Sequence, residues 1–269
     1  MDARSALFDL YGDHLRERGD EAPVASLVRL LAPLGIAGPA VRTAVSRMVR
    51  QGWLAPVRTL SGPGYRLTSR GRRRLDEAAA RIYRTGDPAW DGRWHVVVLA
   101  PIAARGARQR VRSGLSFLGY APAADSTWVA ARASGELGGL LQAEAVSVRA
   151  FHARHDGDDA ELAASLWDLS DLGRAYARWL AGARTLTLRA PVGSDDETAF
   201  AVRSQLVHEW RKFLFADPGL PRTLLPADWP GDEAAAFFDT ETGRLAGAAR
   251  CYVDAGLNLA GAATTDSDY

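Results

Sequence analysis

Apolar residues fall into helical and extended spacings in a definite order along the chain. Leu7, Leu10, Tyr11 and Leu15 lie on one face of a helix predicted over residues 4–18. A second helix is predicted from Pro23 to Leu34, with Leu27, Val28, Leu30 and Leu31 facing inward and Pro23 at its tolerant first turn. Gly35-Ile36-Ala37-Gly38 interrupts it. A third helix opens at Pro39 and is closed by Gly52. Two extended pieces follow, Trp53–Leu60 and Tyr65–Leu67, around the turn signal Ser61-Gly62-Pro63-Gly64. Pro56 cannot donate to a ladder, so the first piece belongs at a sheet edge. Thr68 or Ser69 then caps a fourth helix carrying Leu75, Ala79 and Ile82.

Gly86-Asp87-Pro88 reads as a linker. Beyond it the pattern predicts a strand at Trp94–Leu99, a helix at Arg105–Leu118 and a strand near Thr127–Arg132. A helix near Ser134–Ala143 and a strand at Ala145–His152 complete this part. That order suits a small α+β sandwich. One helix is expected over 161–181, with Leu162, Leu166, Leu169, Tyr176 and Leu180 on its face. Residues 182–264 read as mainly helical, apart from the Pro-rich stretch Asp217–Gly231, and Ala262–Tyr269 as a frayed end. The fold class expected is α+β, in three domains: 1–86, 90–160 and 161–269.

The third helix, PAVRTAVSRMVRQ, is two-sided. Val41, Ala44, Val45, Met48 and Val49 form an apolar stripe, and Arg42, Thr43, Ser46, Arg47 and Arg50 occupy the other side. With the apolar side buried on the first two helices, the outward side presents donors of the kind that reach base edges and phosphates in a major groove. The short Gly-containing turn before it gives a helix-turn-helix, and the extended pieces form a wing carrying Arg58, Tyr65 and Arg66. Arg70, Arg72, Arg73 and Arg74 cluster just after the wing, within reach of flanking phosphates. Arg42, Thr43, Ser46 and Arg47 are expected to meet bases, and Arg50, Arg58 and Arg66 phosphates. The implied partner is double-stranded operator DNA.

Charge sharpens this reading. The net charge is only +1, but residues 1–86 hold 15 Arg against 8 carboxylates, a local +7; residues 87–180 carry −1 and 181–269 carry −5. A basic block on an otherwise acidic chain marks the end that meets a polyanion. Cys251 is the one cysteine, which excludes an internal disulfide and fits a reducing cytoplasm. The charged N-terminal stretch lacks the apolar core of a signal peptide. No apolar run approaches the roughly 20 residues of a membrane span, so no membrane association is expected.

Other chemistry is sparse. There is no Gly-rich phosphate loop, HExxH or GxSxG, so the chain reads as no enzyme, with no catalytic residue, metal or cofactor. His152 and His155, with Asp156, Asp158 and Asp159, read as a solvated loop after a strand. His14 reads as a surface or capping group. The stretch Val202–Phe215 is apolar on two sides, which places it between layers or at an interface. It also carries His208, Arg211 and Lys212, and buried bases require anionic partners. Glu209, Asp217 or Asp228 can supply them, and so can a bound anion.

Long ordered motifs resemble one family. LFDLYGDHLRERGD (7–20), SLVRLLAPLGI (26–36) with PAVRTAVSRMVRQGWL (39–54), YRLTSRGRRRL (65–75) and WDGRWHVVVL (90–99) are similar to the PaaX family of phenylacetate-catabolism repressors. LWDLSDLGRAY (166–176), LVHEWRKFLFADPGLP (206–221) and LLPADWPG (224–231) continue the resemblance, which runs from about residue 5 to 250. It implies an N-terminal winged helix-turn-helix, a middle ferredoxin-like domain similar to a CRISPR-associated small nuclease, and a mainly helical C-terminal domain for effector binding and dimerisation. It implies a homodimer that represses an aromatic-acid operon and is released by an acyl-CoA effector, phenylacetyl-CoA or a related aryl-CoA. On that basis Arg108, Arg112, Arg211 and Lys212, with His208, are candidates to hold CoA phosphates, and Trp210 and Trp229 to wall an aryl group. The alternative the resemblance raises is a nuclease or RNA-processing protein using the ferredoxin-like domain. The strand RWHVVVLAPI holds no carboxylate for a metal, and Asp91 just precedes it.

Overall fold

The first three helices, α1 (Ala3–Leu10), α2 (Val24–Leu31) and α3 (Gly38–Arg50), follow the predicted periodicity in a computed structural model that describes residues 1–82 and 89–262, without the side chains of 74, 77–82 and 259–262. The expected linker at 86–88 and most of the expected frayed end lie outside the described residues. α1 continues through a π-turn (Tyr11–Leu15) and a 3-10 turn (Arg16–Arg18). Strands β1 (Glu21–Pro23), β2 (Leu54–Thr59) and β3 (Gly62–Leu67) form an antiparallel sheet in the order β1-β3-β2. Pro56 does sit on an edge strand. The hairpin turn, however, is at Leu60-Ser61, and Gly62-Pro63-Gly64 lies within β3. Gly64 is there for clearance: a Cβ would fall 2.6 Å from the Ala22 carbonyl oxygen. Thr68 accepts the Gly71 N–H at 3.1 Å and opens α4 (Ser69–Ile82) as expected.

The middle segment runs β4 (Trp94–Leu99), α5 (Arg105–Phe117), β5 (Ala121–Ala124), β6 (Thr127–Ala130), α6 (Leu137–Ala143), β7 (Val148–Ala153). This is a ferredoxin-like βαββαβ unit with sheet order β5-β6-β4-β7. β5 was not expected, because Ala-Pro-Ala-Ala shows no period-2 alternation. The helical segments are α7 (Asp159–Leu166), α8 (Leu169–Thr187), α9 (Asp196–Trp210), which passes into a 3-10 turn (Arg211–Phe215), and α10 (Pro230–Ala262). The single helix expected over 161–181 is broken at Trp167, whose extended backbone lets its ring stack on Trp94. Asp168 restarts it by accepting the Asp171 N–H at 2.8 Å.

The chain divides into two compact units. The first comprises Met1–Thr85, Trp179–Arg211 and Ala234–Tyr269; the second comprises Gly86–Arg178 and Lys212–Glu233. The stretch 161–269, expected as a domain of its own, is therefore shared between them. In the second unit α5 and α6 cover one sheet face over Val97, Leu99, Val111, Leu115, Trp128 and Leu141. Tyr176 stacks on Phe213 and meets the edge of Trp229.

In the first unit the N-terminal core of Leu7, Leu10, Tyr11, Leu27, Leu30, Val41, Val45 and Met48 extends onto Phe200, Ala249 and Val253 of α9 and α10. Buried ion pairs fix this seam. Asp9 pairs with Arg211 and accepts His208 Nδ1 at 3.0 Å, and Asp13 pairs with Arg203. Arg203 also donates to the Thr242 carbonyl at 3.1 Å. Burial and the nearby Arg250 pull the Arg203 guanidinium down to about 10, still cationic at neutral pH. Arg18 meets Asp254 at 2.7 Å, and the Gly256 carbonyl accepts from Ser26 Oγ and Arg29 Nη1. A Cβ on Gly256 would fall 2.5 Å from Leu30 Cδ2, so the buried Leu30 side chain would have to shift to admit one.

His14, expected at the surface, is buried against Phe200. Burial, with Arg18 and Arg250 nearby, lowers its imidazole to about 4, so its 3.3 Å contact with Asp13 is polar rather than ionic at neutral pH. Between the ordinary value of 6.5 and about 4 the unfolded chain takes up a proton that the folded ring refuses. Stability therefore falls as pH drops through that window, by up to about 3 kcal/mol. Urea midpoints measured across pH 4 to 7 check this, and His14→Leu flattens the profile. Asp9→Asn strands the half-buried Arg211 and costs about 3 kcal/mol in the same assay. Arg66→Ala, on an exposed pair, costs less than about 1 kcal/mol.

Candidate nucleic-acid interface

α3 owes its exposed face to what its other face buries. Val41, Ala44, Val45 and Met48 are buried and Val49 is half-buried against the N-terminal core. Each fully buried Val or Met side chain contributes about 1.5–3 kcal/mol, which sets the rotation of the helix about its axis. Arg42, Thr43, Ser46, Arg47 and Arg50 are consequently all exposed. Thr43 Oγ1 donates to the Pro39 carbonyl at 3.0 Å, leaving its oxygen as an acceptor. Arg42 curls toward the helix start, where a Cβ on Gly38 would lie 3.2 Å from its Nη1. Among the described residues no carboxylate pairs with Arg42, Arg47 or Arg50. Pro39 occupies the first turn, where its missing N–H costs nothing.

The hairpin contributes less than its residue types suggest. Arg58 is exposed on the edge strand. Arg66 faces Glu21 across the β1–β3 ladder and pairs with it. Tyr65 is half-buried against the N-terminal core, and its carbonyl accepts the Tyr11 hydroxyl at 2.8 Å. Two of the eight residues expected at DNA are thus occupied within the fold, and six remain on the outside. Arg70 lies 5.0 Å over the Trp53 ring, Arg72 pairs with Asp20, and Arg73 is exposed. The side chain of Arg74 is outside the described residues.

The residues expected at an effector do not converge within either unit. His208, Trp210 and Arg211 belong to the first unit, and Arg108, Arg112, Lys212 and Trp229 to the second. Trp210 stacks on Phe238 with 4.7 Å between centroids and meets the edge of Trp179. Trp229 lies buried beside Tyr176. Arg108 donates to the Ile102 and Ala103 carbonyls, and Arg112 lies over the Trp128 ring. Lys212 is exposed. Neither Glu209, Asp217 nor Asp228 is the carboxylate on Arg211. That partner is Asp9, and the spacing of Asp9 and Asp13, one turn apart on an apolar helix, was the available signal. A cleft of about 190 Å³ in the first unit is lined by Met1, Leu34, Leu186, Gln205, His208 and Glu209.

Asp91 is a turn residue whose carboxylate accepts the Arg93 N–H at 2.9 Å. His152 lies on β7 with its ring 5.0 Å from that of buried His95, and His155 follows the strand beside Asp159. Among the described residues no group of three or more His, Cys, Asp or Glu could hold a metal, and no helix is long and apolar enough to cross a membrane.

The chain matches three family descriptions in sequence order. They are PaaX-like protein over residues 2–71, PaaX protein central Cas2-like domain over 87–164, and PaaX-like protein C-terminal domain over 167–255. The Transcriptional repressor PaaX of Escherichia coli (strain K12) is 31% identical over 260 residues, covering 93% of this chain and 82% of that protein. A solved structure of an uncharacterized protein from Mycobacterium tuberculosis superimposes with a TM-score of 0.61 at 28% identity, covering 95% of this chain and 98% of that one. With its ferredoxin-like middle unit seated where the Cas2-like match falls, and three matches following in order between residues 2 and 255, the chain belongs to the PaaX-like protein family.

Proposed function

We propose that the chain is a transcriptional repressor that binds operator DNA through a winged helix-turn-helix formed by α2, α3 and the β2–β3 hairpin. The observation that carries this reading is the exposed row Arg42, Thr43, Ser46, Arg47 and Arg50 above a buried apolar stripe. The related repressor from Escherichia coli supports it. α3 enters the major groove, Arg42, Thr43, Ser46 and Arg47 meet base edges, and Arg50 and Arg58 hold phosphates. A homodimer sets two such helices about 34–36 Å apart, one helical turn of DNA. The regulated genes are those of phenylacetate-type catabolism, and the protein acts in the cytoplasm, where the DNA is.

An aryl-CoA effector releases the complex by preferring a state in which the two α3 helices no longer match that spacing. The cleft bounded by Leu34 and His208 is the support for an acyl site in the first unit. Leu34 sits in the turn leading to α3, and His208 bonds Asp9 of α1. The volume suits a ring-sized head and not a whole CoA.

Gel-shift titration on the DNA upstream of the chain's own gene tests the first claim. Arg42→Ala loses about 1–3 kcal/mol on that DNA and relaxes one base position, while Arg58→Ala weakens specific and scrambled duplexes alike. Equal losses from both variants on both duplexes would overturn the assignment. For the effector, calorimetric titration with phenylacetyl-CoA and related thioesters shows heat that His208→Ala reduces at least ten-fold in affinity. No heat, and no change in DNA affinity across the series, would sink it.

A further inference from the structure

We propose that α5 of the ferredoxin-like unit carries a DNA contact of its own, a row of phosphate-binding arginines that follows a duplex backbone without reading its sequence. This rests on the DNA-binding reading above.

α5 spans Arg105–Phe117 and contains four arginines and no carboxylate. Arg105, Arg108 and Arg112 follow one another at i, i+3 and i+7, so they share one face, and all three are exposed. Like charges at such spacing destabilise a helix. The first turn also holds cations where the helix field favours anions. Among the described residues none of the three meets a carboxylate.

What holds Arg108 and Arg112 leaves their charge intact. Arg108 donates from Nη2 to the Ile102 carbonyl at 3.0 Å and from Nε at 3.3 Å. Arg112 lies 5.8 Å from the centre of the Trp128 ring, itself buried in the sheet. A carbonyl and a ring face position a guanidinium without neutralising it, so these two cations are ordered before any anion arrives. Arg110 is the contrast on the same helix. It points away from the row and is neutralised by Glu144 at 2.6 and 2.8 Å. The pairing raises the Arg110 guanidinium and lowers the Glu144 carboxyl.

The layout selects the kind of anion. Seven residues of helix spread the row over about 10 Å. A compact diphosphate is gripped by cations that converge on it. An extended row suits an extended anion such as a DNA strand, which carries a charge every ~3.4 Å along its axis.

The test is the salt dependence of binding by the full chain. Fluorescence anisotropy on a scrambled duplex of about 40 base pairs gives the slope of log K against log salt for wild type, Arg110→Gln and the triple variant R105Q/R108Q/R112Q. Each phosphate contact contributes about 0.9 to the slope. The triple variant is expected to flatten it by about 2 to 3, and Arg110→Gln by less than about 0.5. Equal thermal midpoints show that the variants fold. An unchanged slope in the triple variant, or a flattening by Arg110→Gln as large as its share of the triple, overturns the proposal. So does a triple variant that keeps its slope but loses calorimetric heat with CoA, which would assign the row to a free polyphosphate. Failure here is distinguishable from failure of the α3 reading: if Arg42→Ala still loses specific affinity on the upstream DNA, the repressor reading stands and only the α5 contact falls.

Discussion

Two carboxylates one helical turn apart, Asp9 and Asp13, hold the N-terminal helices on the C-terminal ones. Each is buried or nearly so, and each meets a guanidinium that burial would otherwise penalise: Arg211 for Asp9, Arg203 for Asp13. Neither member of such a pair is tolerable alone, because a stranded charge in a low-dielectric seam costs more than the pair returns. The apolar contacts around them are non-directional and would permit sliding. The ion pairs, with the Gly256 carbonyl accepting from Ser26 and Arg29, set the register of α1 and α2 on α9 and α10. α3 packs on α1 and α2, so the direction its arginines face is inherited from that register.

This bears on how a signal could reach DNA. His208 stands on the same Asp9 that holds Arg211, and it lines the cleft that Leu34 also borders. A ligand in the cleft would touch the ion-pair seam from one side and the turn entering α3 from the other. Coupling needs a ligand that distinguishes two arrangements of these groups, and a hydrogen-bonded His–Asp–Arg set has discrete arrangements rather than a continuum.

What the sequence made legible follows from how local each cause is. α3 could be read residue by residue, because a period of 3.6 with bulky aliphatics on one face has one solution when a core is near. The edge position of β2 was equally local, through Pro56. The hairpin turn was misplaced because Gly64 looked like turn chemistry, whereas it serves the close approach of β1. β5 went unread because four small residues carry no alternation. The break at Trp167 is a tertiary effect: the ring leaves the helix to stack on Trp94, although Asp168 was a visible cap. Charge partners were the least legible. Arg66 meets Glu21 across a sheet and Arg211 meets Asp9 from just over two hundred residues away, distances over which spacing says nothing.

The arginines divide by what faces them, not by where they fall in sequence. Those of the seam meet carboxylates and are consumed in holding the first unit together. Those of α3 stand over an apolar stripe and meet none among the described residues. In the α5 row Arg108 and Arg112 are held by neutral groups, the Ile102 carbonyl for Arg108 and an indole face for Arg112. The last two classes, like Arg58 on the hairpin, keep a full charge directed outward and can exchange condensed counterions for phosphate. They differ in the hydroxyls interleaved with them: Thr43 and Ser46 stand among the α3 arginines, while the α5 row has none between Arg105 and Arg112. Hydroxyls and guanidinium forks together can read base edges, whereas a bare row of cations can only follow a backbone. In the proposed reading the same residue type therefore supplies structure, sequence discrimination and sequence-independent grip in one chain.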